Sequence, residues 1–296
     1  MVNALTVDVE DYHSIFSRDW LGRDMKPTRA VVDNTSRLLE MIAERHLRGT
    51  FFILGEVAEA FPELVRDIAA AGHELGVHGY YHRQVFKLTP AQFRDAVGKA
   101  KSLIENIIGS PVLAHRAPAF SIIPETKWAF EVLAELGFRY DSSVCPIHGK
   151  RYGWPGFPPD IHEMALDDGR TLIEAPLSFV SLLGKKLPAC GGGYLRHFPA
   201  FYTDWAFRQV QRSRPAILYA HPYEIELNVP PPDTSGLPAA AARRARRFHK
   251  LQLRNRKTVE GKLRRVLARY EFAPLGEVIN QVLRNPGAPE PRASRR

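Results

Sequence analysis

Short apolar, β-branched runs alternate along this chain with longer stretches whose apolar residues recur at helical spacing. Residues 5–9 read as a first strand, and Val31, Val32, Leu38, Leu39 and Ile42 mark one face of a helix over 28–46. Residues 50–54 form a second strand closed by Gly55, and a helix over 62–71 stops at Gly72. The third strand is 74–78. Thr89 and Pro90 supply the N-cap and first position of a helix that runs to about Ile108. Strands over 111–115 and 138–141 bracket a helix that Pro124 opens and Gly137 ends. A sixth strand over 171–175, a helix over 199–213 and a last strand over 216–221 complete the alternation.

A strand–helix repeat over about 220 residues argues for an α/β fold with a parallel sheet or barrel. Asp8, His78, Arg116, Asp141 and His221 all fall at or just after the C-terminal ends of different strands, where a βα barrel assembles its active site. Beyond His221 the pattern stops. The chain then divides into a barrel over 1–225, a basic extension over 226–283 and a Pro/Arg-rich, disordered tail over 284–296. A Pro-rich connector over 228–238 leads into a helical appendage from Ala239 to about Leu283.

The sharpest chemical signal is His78-Gly79-Tyr80-Tyr81-His82. On a helix, histidines four apart share one face and reach one cation. A carboxylate from Asp8-Val9-Glu10-Asp11 would complete a His-His-carboxylate centre with open positions, the ligand set of a hydrolytic metal site. By the two-residue period of a strand, Asp8 and Glu10 share a face, which favours Glu10 as third ligand; Asp11, beyond the strand, is the competitor. The set suits one divalent ion, zinc first, with cobalt or nickel also able to bind.

The net charge of +9 is concentrated: twelve Lys/Arg and only Glu260 among the acids lie between Arg243 and Arg269, so the rest of the chain is slightly acidic. Such a segment points to an anionic membrane surface, a lipid-linked glycan or another polyanion rather than to nucleic acid, or else to a solvated helical face. Apolar content of 45% and charged content of 25% are those of an ordinary globular protein. No apolar run reaches membrane-spanning length, the first residues read as a strand and not as a signal peptide, and two cysteines imply no disulfide framework. The expected location is cytoplasmic, peripheral at the inner membrane face.

Taken in order, Thr6-Val7-Asp8-Val9-Glu10-Asp11, His78-Gly79-Tyr80-Tyr81-His82, Arg116-Ala117-Pro118-Ala119-Phe120, Asp141-Ser142-Ser143 and Leu218-Tyr219-Ala220-His221-Pro222 resemble the five motifs of the polysaccharide deacetylases, the family four carbohydrate esterases. The resemblance covers about residues 3–225. Asp8-Val9-Glu10-Asp11-Tyr12, Arg116 to Ser121 and His221-Pro222-Tyr223-Glu224 are similar to the branch tied to exopolysaccharide loci of bacteria with exosortase systems.

The resemblance implies a distorted (β/α)7-type barrel carrying a basic C-terminal extension, and hydrolysis of N-acetyl groups from an amino-sugar glycan. It implies that His78 and His82 bind the metal and that Asp8 is the general base, held by Arg116. His221 is then the general acid, with Asp141 supporting its imidazolium, and the Ala119 backbone N–H faces the oxyanion.

Three departures stand out against that pattern: Val9 where a second aspartate is common, Ala119 where an aromatic residue is usual, and Gly79 where a hydroxyl is usual. Gly191-Gly192-Gly193 and Trp154 are further candidates for sugar contact, with a flexible turn and ordinary packing as the alternatives; His13, His46 and His73 read as structural or surface, and His115 points to the opposite side of its strand from Arg116. Two other classes compete with the deacetylase: a related amidohydrolase of small amides, and a non-catalytic polyanion- or membrane-binding module. A narrow closed site would favour the small amide, and a groove lined by Trp or Tyr the glycan.

Overall fold

The structure, a computed structural model, describes residues 1–149 and 152–284. Its sheet is built on β1 (Asn3–Val9), buried along its whole length. β1 pairs in parallel with β2 (Thr50–Ile53), and the order continues through β3 (Glu74–Val77), β4 (Ala114–His115) and β5 (Tyr140–Asp141). Next come β7 (Thr171–Glu174), in parallel, and β6 (His162–Ala165), antiparallel at the edge. β8 (Phe179–Leu182) and β9 (Lys185–Pro188) form a separate hairpin. β10 (Ile217–Ala220) lies on the other side of β1. The sheet curls into a half-barrel of the (β/α)7 type.

The short α1 (Tyr12–Phe16) follows β1 beside the site, and further helices pack around the sheet: α2 (Arg29–Ala43), α3 (Gly55–Ala60), α4 (Pro62–Ala70), α5 (Pro90–Ile108), α6 (Ala129–Glu135), α7 (Gly192–His197) and α8 (Ala200–Val210). The expected Thr89 cap is present and forms a capping box with Gln92, and α5 ends after Ile108 at left-handed Gly109.

Strand alternation sorts the core into two layers. Leu5, Val7, Phe51, Ile53, Val77, Leu218 and Ala220 point outward to the helices, and Ala4, Phe52, Ala114, Ile217 and Tyr219 point into the barrel. Burial on both faces explains why these strands read as unbroken apolar runs. The same parity sends Thr6, Asp8 and Arg116 inward.

Several expectations are corrected. The fourth and fifth strands each keep only two ladder residues; in the fourth, Pro111 has no N–H and the Val112 N–H turns to the Glu105 carboxylate. β6 and the β8–β9 hairpin lack a strong apolar period and escape the pattern. The predicted helical appendage is interrupted. After α9 (Ala239–Leu253) and α10 (Val259–Arg269), β11 (Phe272–Ala273) pairs with the start of β1, and α11 (Leu275–Arg284) follows. Leu275, Val278 and Ile279 share the inner core with Ala4 and Phe52, and the Leu275 N–H bonds to Thr50 Oγ1 at 2.7 Å. The strand β11 and helix α11 thus floor the barrel. Apart from Arg284 in α11, the predicted disordered tail over 284–296 lies outside the described residues. Among the described residues no helix is long and apolar enough to cross a membrane.

Candidate metal centre and catalytic site

His78 ends β3, and His82 returns to the same spot without a helix. Gly79 (φ +75°) and His82 (φ 54°) are left-handed, so a tight turn replaces the expected helical pair. A Cβ at Gly79 would stand 3.3 Å from Pro118 on a left-handed backbone, so a serine or threonine would strain this turn.

His78 Nε2 and His82 Nε2 lie 2.9 and 3.0 Å from the same oxygen, Glu10 Oε1. His78 Nδ1 lies 2.8 Å from the Arg116 carbonyl. A carbonyl only accepts, so Nδ1 carries a proton, and Nε2 is the nitrogen that would offer its lone pair to a bound cation. Two imidazole nitrogens converging on one carboxylate oxygen fit a shared cation, and a carbonyl-anchored imidazole is the usual support of a metal ligand. Glu10, His78 and His82 therefore fit one divalent ion with open positions. Burial would raise the Glu10 carboxyl, but the charges of His82 and His221 and the bonds from His78 and His82 hold it well below the usual carboxylate range. Burial pushes His82 down; Glu10 outweighs it and raises the ring.

Asp11 is not among these ligands. Its carboxylate caps α1 through the Ser14 N–H at 2.9 Å and takes the Thr28 N–H and hydroxyl at 3.0 and 2.8 Å. Between the two carboxylates left open by the sequence, only Glu10 faces the histidines.

Asp8 is buried below the cluster. Arg116 Nη1 donates to Asp8 Oδ1 at 2.8 Å and to Thr6 Oγ1 at 2.8 Å, while its Nε and Nη2 reach the Ser142 carbonyl and hydroxyl at 3.0 Å each. The guanidinium also lies over the Phe52 ring at 4.4 Å. All three nitrogens of this fully buried cation thus have partners, and Asp8 Oδ2 points toward His221 Nε2 at 3.8 Å. Ala119, left-handed at φ 52°, lines the adjoining cavity with Glu10, Tyr12, His82 and Tyr223.

The expected support of His221 by Asp141 is not found. Asp141 sits opposite His115 in the β4–β5 register, and both point outward under α5. Asp141 accepts from His115 Nδ1 at 2.6 Å and from the Ser143 hydroxyl at 2.7 Å. Burial and the Asp141 charge together push neighbouring Glu174 well above the usual carboxylate range. The partner of His221 is instead Glu224, whose Oε2 lies 3.2 Å from His221 Nδ1 across the helical turn Pro222–Ile225. Burial opposes charge on His221, but Glu10, Glu224 and Asp8 raise it to about 9. The i, i+3 spacing of His221 and Glu224 is the signal for this pair in the sequence.

The C-terminal segment also reaches the site. Tyr223 stacks on His221 at 4.9 Å, buried Arg256 lies over both Tyr12 (4.8 Å) and Tyr223 (5.4 Å), and the Tyr12 hydroxyl meets His249 Nδ1 at 2.9 Å. Of the candidate sugar contacts, Trp154 packs on Phe130 and Phe157, and Gly191 lies against the backbone of Tyr219. Trp20 and Phe248, which the sequence reading does not place at the site, line the cavity.

Residues 21–140 match the family model "Polysaccharide deacetylase", and residues 142–280 match a "Domain of unknown function (DUF3473)". A peptidoglycan deacetylase of Helicobacter pylori is 35% identical over 108 residues, covering 36% of this chain and 36% of that one. A peptidoglycan-N-acetylglucosamine deacetylase of Bacillus cereus is 33% identical over 98 residues, covering 33% of this chain and 36% of that one. The chain thus spans little more than a third of the length of these curated relatives. A solved structure from Mycobacterium smegmatis described as a polysaccharide deacetylase has a TM-score of 0.60 at 21% identity, covering 100% of this chain and 96% of that chain. Puue allantoinase has a TM-score of 0.57 at 14% identity, covering 97% and 91%. At these identities the structures establish a shared fold.

Proposed function

For a chain whose family model and relatives support the polysaccharide deacetylase family, we propose a metal-dependent hydrolase that removes N-acetyl groups from an amino-sugar glycan. The observation that carries this reading is the convergence of Glu10, His78 and His82 with Asp8 and His221 within 4 Å. Resemblance to the exopolysaccharide-locus branch extends the proposal to an exopolysaccharide, or its lipid-linked precursor, as substrate.

Amides resist hydrolysis because the carbonyl is a weak electrophile and the amine a poor leaving group. When bound by Glu10, His78 and His82, a divalent ion, zinc by its ligand preference, polarises the carbonyl and acidifies water. The chain's own groups handle the protons. Arg116 occupies Asp8 Oδ1, so Oδ2 is the oxygen available to take a proton from the attacking water. His221, oriented by Glu224 and charged at neutral pH, donates from Nε2 to the departing nitrogen. The Ala119 N–H is the candidate donor to the developing oxyanion. The cavity wall of Tyr12, Phe16, Trp20, Tyr223 and Phe248 favours a pyranose over a small amide.

Acetate release from N-acetylglucosamine oligomers and peptidoglycan fragments, with and without a chelator, tests the reading. Turnover that a chelator stops and zinc restores is the expected result. Turnover of a small cyclic amide without acetate from any glycan would overturn it.

A further inference from the structure

Two cavities share one aromatic wall. The rings of Trp20 and Phe248 stack 4.1 Å apart at 15°. On one side they line the catalytic cavity with Glu10 and His82. On the other they line a cleft of about 470 Å³ with Arg244, Arg247, Lys250, Leu251 and Arg254.

The basic segment divides at this point. Its second helix, α10, has its cations engaged: Arg264 pairs with Glu44 and Glu260, Arg265 and Arg269 pair with Asp204, and Lys262 donates to backbone carbonyls. The cations of the cleft are different. Arg244, Arg247, Lys250 and Arg254 recur along one stripe of α9 and its C-cap, all are exposed, and among the described residues none meets a carboxylate. Four unbalanced cations therefore converge beside an aromatic platform that leads into the active site.

We propose that this cleft is a subsite for an acidic saccharide: a sugar bearing a carboxylate or phosphate, joined to the N-acetyl sugar held at the metal centre. The inference rests on the deacetylase reading and adds the charge of the substrate. Aromatic faces stack on the apolar face of a pyranose, and guanidinium forks match carboxylate and phosphate oxygens. A membrane surface is the weaker match. A membrane-binding helix presents a broad apolar face, whereas Leu251 is the one exposed large apolar side chain among the described residues of α9; Ala242, Ala245 and His249 are buried.

Calorimetric titration of the full chain at low salt tests the proposal with three probes. Chitotetraose is neutral, a tetrasaccharide of alternating glucuronate and N-acetylglucosamine carries carboxylates, and uridine diphosphate N-acetylglucosamine carries phosphates. At least one acidic probe should bind roughly tenfold tighter than chitotetraose, a few-fold per cation, and its identity names the source of the charge. The preference should fade at about 1 M salt, where screening shortens to about 3 Å. It should vanish in the triple variant Arg244→Gln, Arg247→Gln, Lys250→Gln, with chitotetraose affinity unchanged. Equal affinity of the wild type for all three probes, or a preference that survives the triple variant, overturns the subsite. Binding to phosphatidylglycerol vesicles that the triple variant loses, without any acidic-probe preference, also overturns it and makes the stripe a membrane contact. Acetate assays on the same saccharides separate the two failures: no release from any of them removes the deacetylase reading while the binding preference stands or falls alone.

Discussion

His78 faces Glu10 at 2.9 Å with Nε2, while its Nδ1 is anchored on the Arg116 carbonyl. The convergence of His78 and His82 on one carboxylate oxygen marks where a cation belongs. Glu10→Gln, His78→Ala and His82→Ala should each lower bound zinc by about tenfold or more, measured by elemental analysis after dialysis. Asp11→Asn should keep the metal but cost roughly 1–2 kcal/mol of stability through its lost cap. Full metal content in Glu10→Gln would move the site elsewhere.

Glu224 sets the charge of His221. Burial opposes that charge, yet Glu10, Glu224 and Asp8 outweigh it and bring the ring to about 9. Glu224→Gln removes a raising influence, so the alkaline limb of kcat against pH should move to lower pH. His221→Ala should reduce turnover by roughly 10²–10⁴-fold at all pH values. Asp141→Asn should leave that limb in place, since its partners are His115 and Ser143. A limb that follows Asp141 and ignores Glu224 would reverse the assignment.

Arg116 is fully buried and answers Asp8, Thr6 and Ser142 at once. Arg116→Met leaves a buried carboxylate without its counter-ion, and the expected loss is about 3–5 kcal/mol in urea unfolding. Adding Asp8→Asn to that variant should recover part of the loss, because the unpaired charge is gone. A double variant no more stable than Arg116→Met alone would show that the cost lies in packing against Phe52.

His13 bonds to Glu226 at 2.9 Å, and this hydrogen bond, against the opposing effect of burial, raises its pKa above the ordinary 6.5. A raised folded-state pKa stabilises the protein most below the unfolded value and stops doing so as pH rises through the folded one. Urea midpoints should therefore decline from pH 6 upward across that window, and His13→Gln should flatten the decline. An identical slope in both proteins would show that the bond does not couple to folding.

Local period was enough to recognise most strands and helices, and to find Asp8, His78, Arg116 and His221 at strand ends. Strand parity alone brought Asp8 and Glu10 to one face, because alternation is a property of the backbone itself. Parity in one strand does not say which face is the barrel interior in another. The family resemblance implies Asp141 as a partner of His221, but strand register places it under α5 beside His115. Asp11 reads as the competitor to Glu10 until Thr28, seventeen residues on, claims its carboxylate. Residues 243–269 read as one basic stretch until Glu44 and Asp204 neutralise much of α10 and leave the α9 stripe open. The stacking of Trp20 on Phe248 and the return of β11 to β1 join residues more than 220 positions apart. The strand and helix periods were written in neighbouring residues; charge balance, ligand choice and cavity walls depended on partners that only the folded chain brings together.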